Sequence, residues 1–189
     1  MRIITGKLRG KHIAIPKKFA IRPTASKVRA QVFNIVGSHI VGANVFELFA
    51  GSGAIGIEAI SRGATFCTFV ESNVSTIRLL RRNLELLGIS PQARIFPFDA
   101  ARAVQRASRA TTPFSFIYID PPYDQIGEIP DLLQKIDGSV PMVDGTILFI
   151  ESRTNTFTPP PLTRLKLVSS RTSGGTELWE YGITSPDEG

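Results

Sequence analysis

An open α/β fold, with a mainly parallel sheet that closes in an antiparallel hairpin, is predicted by three observations. Short apolar runs alternate with helical patterns from Val45 onward, which is the rhythm of strand, helix and strand. The longest run, Phe114 to Ile119, is apolar almost throughout rather than at every second residue, as in a strand buried on both faces. Near the end of the chain, Leu162 to Ser169 and Thr176 to Ile183 are strand candidates separated by Ser170-Arg171-Thr172-Ser173-Gly174-Gly175. That connection has no room for a crossover helix, so the two strands must run antiparallel.

The elements follow in order. Arg2 to Pro16 mixes apolar and basic residues around Gly6 and Gly10 and reads as a small ribbon of short strands with a charged face. A helix is expected from Ser26 to Val36, because Val28, Val32, Ile35 and Val36 recur at helical spacing, and it should pack on the body. Strand Val45 to Phe49, helix Ala54 to Arg62, strand Phe66 to Val70 and helix Val74 to Leu87 come next; Ile77, Leu80, Leu84 and Leu87 share one face of the last. Strand Ala93 to Phe96, a basic helix over Ala100 to Arg109, strand Phe114 to Ile119, a helix over Ile126 to Ile136 and strand Ile147 to Ile150 complete the repeating part. Thr158-Pro159-Pro160-Pro161 is a stiff spacer before the hairpin.

The chain of 189 residues is long enough for one well-buried core. With 42% hydrophobic and 20% charged residues it has the composition of a globular protein, and no apolar run reaches the roughly 20 residues of a membrane span. The single Cys67 excludes an intrachain disulfide and a cysteine-based metal site and suits a reducing, cytosolic setting. His12 and His39 are too sparse for a metal or acid–base cluster. The net charge of +6 is uneven: residues 1–46 hold nine basic side chains and no acidic one, whereas the remainder carries 13 basic and 16 acidic. A basic head on a slightly acidic body concentrates phosphates and suits a nucleic-acid backbone, although a solvated surface explains the same count. Two units are expected, a basic extension over 1–40 packed on a core over 41–189.

Two constellations carry chemistry. Glu47-Leu48-Phe49-Ala50-Gly51-Ser52-Gly53-Ala54-Ile55-Gly56 joins the first core strand to its helix. Gly51 and Gly53 allow a tight turn and leave room for a ligand, Gly56 permits close helix packing, and the first-turn N–H groups are expected to be able to receive polar ligand atoms. The loop lacks the lysine of a phosphate-binding P-loop, which argues against nucleotide triphosphate hydrolysis. Glu71 ends the next strand and is the residue type that accepts hydrogen bonds from ribose hydroxyls. Asp99 follows the third strand, where a ligand contact and a helix cap account for it equally. The second constellation, Asp120-Pro121-Pro122-Tyr123, ends the longest apolar run with a carboxylate, two prolines and a ring. A planar base with an exocyclic amine suits such a corner. A rigid turn after a core strand is the plainer reading.

Taken together, Met1 to Gly10, Arg22-Pro23-Thr24, Phe49-Ala50-Gly51-Ser52-Gly53 with Gly56-Ile57-Glu58-Ala59, Phe69-Val70-Glu71 and Asp120-Pro121-Pro122-Tyr123 resemble the bacterial 16S ribosomal RNA guanine-N2 methyltransferases, the RsmD family, over nearly the full chain. The resemblance implies a class I S-adenosylmethionine-dependent methyltransferase fold with a small basic N-terminal extension. It also implies S-adenosyl-L-methionine as methyl donor, a guanine N2 amine of 16S ribosomal RNA as acceptor, and a small-subunit ribosomal assembly as partner. The cofactor set would be Phe49, Gly51, Ser52, Gly53, Glu71 and Asp99, with Asp99 at the adenine edge. Asp120 and the Pro121 carbonyl would accept the two amine hydrogens, and Tyr123 would stack on the base. Arg2, Lys7, Arg9, Lys11, Arg22, Thr24 and Arg29 would contact RNA. The chain departs from the family pattern at Glu47, where Asp is usual, and at Ser26 and Ala30, where carboxylates are usual.

Other readings remain open at this level. A DNA exocyclic-amine methyltransferase would use the same loop and corner, though little sequence is left for a DNA-recognition domain. A noncatalytic RNA-binding protein with a relic pocket is less consistent with two intact constellations. No periodic feature marks an oligomer seam, so a monomer is expected.

Overall fold

A computed structural model describes residues 1–15 and 23–183. Arg22 lies outside the described residues, as does the side chain of Thr24. The helices are α1 (Pro23–Val36), α2 (Ala54–Ser61), α3 (Val74–Leu87), α4 (Ala100–Ala107) and α5 (Ile129–Ser139). The strands are β1 (Asn44–Leu48), β2 (Phe66–Val70), β3 (Ala93–Phe96), β4 (Phe114–Ile119), β5 (Met142–Arg153), β6 (Leu165–Ser173) and β7 (Thr176–Ile183).

The strands form one sheet in the order β3-β2-β1-β4-β5-β7-β6. β1 to β5 are parallel, β7 pairs antiparallel with β5, and β6 pairs antiparallel with β7. This is the class I methyltransferase fold expected from the sequence. The near-continuous apolar runs have their cause here: β1, β2 and β4 lie inside the sheet with helices on both faces, so side chains of either orientation are buried. One apolar cluster contains Phe33 of α1, Ile57 of α2, Leu80 of α3 and Phe116 of β4; the other contains Phe46 of β1, Val104 of α4, Leu133 of α5 and Ile117 of β4.

The N-terminal ribbon has less regular structure than short strands would give. A single antiparallel bridge, Arg2 to His12, and the bonds from Ile3 N to Lys11 O and from Ile13 N to Met1 O hold it together. Its Ile3, Leu8 and Ile13 join the same cluster as α1 and the core strands, so the head buries its apolar side chains in the body.

Several boundaries differ from expectation. β5 extends through Arg153, because β7 pairs with it as far as Arg153 opposite Thr176. β6 starts at Leu165, since the buried Asp137 carboxylate accepts the Thr163, Arg164 and Leu165 N–H groups at 2.6, 3.0 and 2.7 Å and pins the preceding connection. At its other end β6 runs on to Ser173, leaving only Gly174-Gly175 as a tight turn with positive φ at both residues. The expected helix over 126–136 is instead a 3-10 turn, Tyr123–Glu128, followed by α5 with Pro130 in its first turn. No helix among the described residues is long and apolar enough to cross a membrane.

Candidate functional site

The sheet order reverses between β1 and β4, and the carboxyl ends of parallel strands flanking such a point open a crevice. A groove of about 1250 Å³ occupies it, lined by residues following β1, β2, β3 and β4 and by Glu151 and Arg153 of β5. Phe49, Gly51, Ser52, Glu71, Asp99, Asp120, Pro121 and Tyr123, all named from the sequence, line this one space.

The loop after β1 is built under constraint. Phe49 has φ of 58°, a left-handed conformation that a bulky side chain adopts only when its surroundings enforce it. The Ala50 N–H, which donates to Val70 O at 2.8 Å, and the Gly51 N–H, which donates to Glu71 Oε2 at 3.0 Å, supply the enforcement. Glu71 also accepts from Asn73 N at 2.8 Å, so its carboxylate is fixed at the lip of the groove. At Gly51, whose φ is 57°, an added Cβ would meet only the Phe49 carbonyl oxygen, at 3.9 Å. Open space there is what a ligand approaching the backbone needs.

Behind the loop lies Glu47, buried, accepting from Ile55 N at 3.3 Å and Gly56 N at 2.9 Å at the start of α2. Burial pushes its carboxyl up to about 8, against the pull of those two N–H groups and with some help from the charge of Glu71. Gly56 is required by the same crowding: a Cβ there would stand 2.5 Å from Cys67 Sγ and 2.7 Å from Glu47 Oε2.

Across the groove, Asp120 is exposed at the end of β4, Pro121 is buried and Tyr123 is 45% exposed. The Arg153 guanidinium lies 3.7 Å from the centroid of the Tyr123 ring. A smaller recess of about 120 Å³ opens between Asp120, Pro121, Tyr123, Glu151 and Arg153. In the main groove the Tyr118 hydroxyl donates to Glu151 Oε2 at 2.6 Å, and burial followed by the charge of Glu151 holds the phenol well above its ordinary range. The site therefore joins a fixed carboxylate and a glycine with open space beside it on one side to a carboxylate, a proline and a ring on the other.

Several expectations need revision. Arg29, expected on the RNA-binding surface, is 3% exposed. Its Nη2 donates to Arg2 O at 2.8 Å, its Nη1 contacts the Met1 sulfur, and its Nε lies 3.8 Å from Glu58 Oε2. It is a packing and charge-pairing group, and burial lowers its pKa. Gly53 is buried with its N–H donated to Ala50 O at 2.8 Å, so it shapes the turn and is not among the residues lining the groove. Asp99 caps α4 by accepting from Arg102 N at 2.8 Å, while also lining the groove. Arg2, Lys7, Arg9 and Lys11 are exposed as expected; Lys7 Nζ donates to Gln92 Oε1 at 2.8 Å.

Sequence reasoning missed Glu58 and Asn83 as structural centres. Glu58 is fully buried and accepts from Ile4 N at 2.8 Å, Thr5 N at 2.9 Å and Arg62 Nε at 2.9 Å, tying the ribbon to α2. Asn83 is buried on α3 and bonds backbone groups of both the ribbon and the loop. The available signal for Asn83 was its place beside Leu80, Leu84 and Leu87 on the apolar stripe, where a polar residue needs partners.

Residues 1–182 match the family model described as Conserved hypothetical protein 95. The protein YlbH of Bacillus subtilis is 37% identical over 137 residues, which are 72% of this chain and 74% of that one. Ribosomal RNA small subunit methyltransferase D of Escherichia coli is 30% identical over 159 residues, covering 84% and 78% respectively. The solved structure of yhhF from Escherichia coli is similar at a TM-score of 0.84 and 28% identity over 97% of this chain and 98% of that one. With its class I methyltransferase fold, the chain belongs to the Conserved hypothetical protein 95 family.

Proposed function

We propose that the protein transfers the methyl group of S-adenosyl-L-methionine to the exocyclic N2 amine of a guanine in 16S ribosomal RNA. The observation that carries this reading is that Gly51 and Glu71 on one side, and Asp120, Pro121 and Tyr123 on the other, open into one groove at the sheet's switch point. Ligand pockets are commonly about 300–1,000 Å³, so a groove of about 1250 Å³ suits a donor together with an incoming base. The methyltransferase D relative supplies the ribosomal substrate class, and the sequence resemblance supplies guanine N2.

The residues fit the donor. Glu71 is an acceptor for a ribose diol, Gly51 leaves its backbone open, and the half-buried Phe49 and Phe98, with Asp99 beside them, form an apolar wall with a polar edge for the adenine. When bound, S-adenosylmethionine supplies a methyl group activated by a sulfonium. The protein's part is alignment of the amine.

Guanine N2 is a weak nucleophile because its lone pair is delocalised into the ring. The Asp120 carboxylate and Pro121 carbonyl, each accepting one amine hydrogen, localise that pair and aim it. Pro121 and Pro122 have no N–H to compete for those acceptors. Tyr123, held by Arg153, sets the plane of the base. The amine proton released on transfer passes to Asp120 and then to water, consistent with the exposure of this carboxylate. The exposed Arg2, Lys7, Arg9 and Lys11 hold the RNA backbone.

Labelled methyl transfer to 16S ribosomal RNA, free and in small-subunit particles, followed by mapping of the methylated atom, tests the proposal. N2-methylguanine at one position is the expected product. Label in duplex DNA and none in ribosomal RNA would overturn it.

A further inference from the structure

We propose that Asn83 is a positioning residue that couples the donor loop to the basic N-terminal ribbon, so that donor and RNA reinforce each other's binding. The inference rests on the functional reading above for the identity of the two ligands. Its physical basis is three hydrogen bonds made by one buried amide.

Asn83 is 2% exposed on the inner face of α3. Its Oδ1 accepts from Ala14 N at 2.9 Å, and its Nδ2 donates to Ala14 O at 2.9 Å and to Ser52 O at 3.1 Å. Ala14 belongs to the ribbon that carries Arg2, Lys7, Arg9 and Lys11, and Ser52 belongs to the loop between β1 and α2. Both Nδ2 hydrogens are therefore used, one on each segment. The orientation of the amide is fixed, because the reverse would set an NH2 group against the Ala14 N–H and an oxygen against two carbonyls.

The groove supplies independent support for this coupling. Met1, Ile15 and Arg29 of the head line it together with Phe49, Gly51 and Ser52 of the loop. The two segments thus share a wall as well as an anchor. One turn before Asn83, Leu80 packs so closely on the loop that a Cβ at Gly53 would stand 2.5 Å from its Cδ1. α3 is consequently a common support for both segments, and Asn83 is its polar contact with each.

A ligand that orders one segment also fixes the amide that anchors the other. The second ligand then has less ordering to do, which is positive coupling between sites. Thermodynamic linkage requires the effect to be equal in both directions.

The test is a binding cycle with a 16S ribosomal RNA transcript and S-adenosylhomocysteine, the unreactive product, as donor-site probe. In the wild-type protein, saturating S-adenosylhomocysteine should tighten RNA binding by at least about 5-fold, and saturating RNA should tighten S-adenosylhomocysteine by the same factor. In Asn83→Ala and Asn83→Leu both ligands should still bind while that factor falls close to one. Leu84→Ala, which removes a buried neighbour on the same helix, should lower the melting temperature and leave the factor intact. Hydrogen exchange in the unmodified protein gives a readout that needs no variant: the Ala14 amide should exchange more slowly once S-adenosylhomocysteine is bound. Independent binding of the two ligands to the wild type, a coupling factor that survives loss of Asn83, or an Ala14 amide indifferent to S-adenosylhomocysteine would each overturn the inference. Failure of the wild type to bind either ligand would overturn the functional reading and the inference with it.

Discussion

Asp120 is exposed at the end of β4, and the role proposed for it lies in methyl transfer rather than in donor binding. Asp120→Ala should leave S-adenosylhomocysteine affinity close to wild type while lowering kcat by roughly 10²–10³, the usual effect of deleting one aligned polar partner from a transition state. Single-turnover methyl transfer measured beside calorimetric binding checks both halves. Glu47 is the opposite case, a carboxylate whose environment acts on stability. Its pKa is pushed up to about 8 by burial, against 4.5 for an ordinary glutamate. Between those values the folded protein retains a proton that the unfolded chain has released, so stability falls as pH rises through the window and levels off above about 8. The slope contributed by this one group approaches about 1.4 kcal/mol per pH unit. Glu47→Gln should flatten it, as read by urea melts at about pH 5.5 and about pH 7.5. The variant should also be less stable at the lower pH, since its NH2 group faces one of the N–H donors of Ile55 and Gly56.

α2 shows how a short element serves two ends of the molecule. Its N-terminus receives Glu47 beside the donor loop, and its buried Glu58 and Ser61 receive the ribbon. Ser61 accepts from Leu8 N at 3.0 Å and donates to Thr5 O at 2.6 Å, while Glu58 faces Arg29 and Arg62. Glu58→Ala leaves the buried Arg29 without its counter-charge, and should destabilise the protein by roughly 3–5 kcal/mol in chemical denaturation. Periodicity made this helix and most of the sheet legible: the bounds Phe66 to Val70 and Phe114 to Ile119 follow from mainly apolar runs, and Ala93 to Phe96 from its place in the alternation of strand and helix. The extension of β5 to Arg153 was not legible, because it depends on pairing with β7 far along the chain. The same limit applies within the site. Glu71 and Asp120 announced themselves by standing at strand ends. Arg153 reaches the Tyr123 ring from the end of the longer β5, which apolar patterning does not mark. The partners of Glu58 and Asn83 are backbone groups distant in sequence, so spacing marks Asn83 as a polar residue on an apolar stripe without naming what it bonds.

On the scale of the whole molecule, charge asymmetry and burial together decide which basic groups are available for the proposed RNA contact. The sequence counts nine in residues 1–46, yet the fold withdraws Arg29 into the core and leaves Arg2, Lys7, Arg9 and Lys11 on the surface of the described ribbon. Counterion release makes this distinction measurable, since each phosphate neutralised steepens the fall of log affinity with log salt. Arg9→Ala and Lys11→Ala should each weaken binding of a 16S ribosomal RNA transcript and reduce the magnitude of that slope by about 1. Arg29→Met should leave the slope unchanged, because a buried guanidinium displaces no counterion from RNA, and should instead appear in the melting curve. Lys7 gives an intermediate test: its bond to Gln92 orients the ammonium without neutralising it, so Lys7→Ala should lower the slope while Gln92→Ala preserves it. Slopes that respond to Arg29 and ignore Arg9 and Lys11 would place the RNA on a different face of the protein.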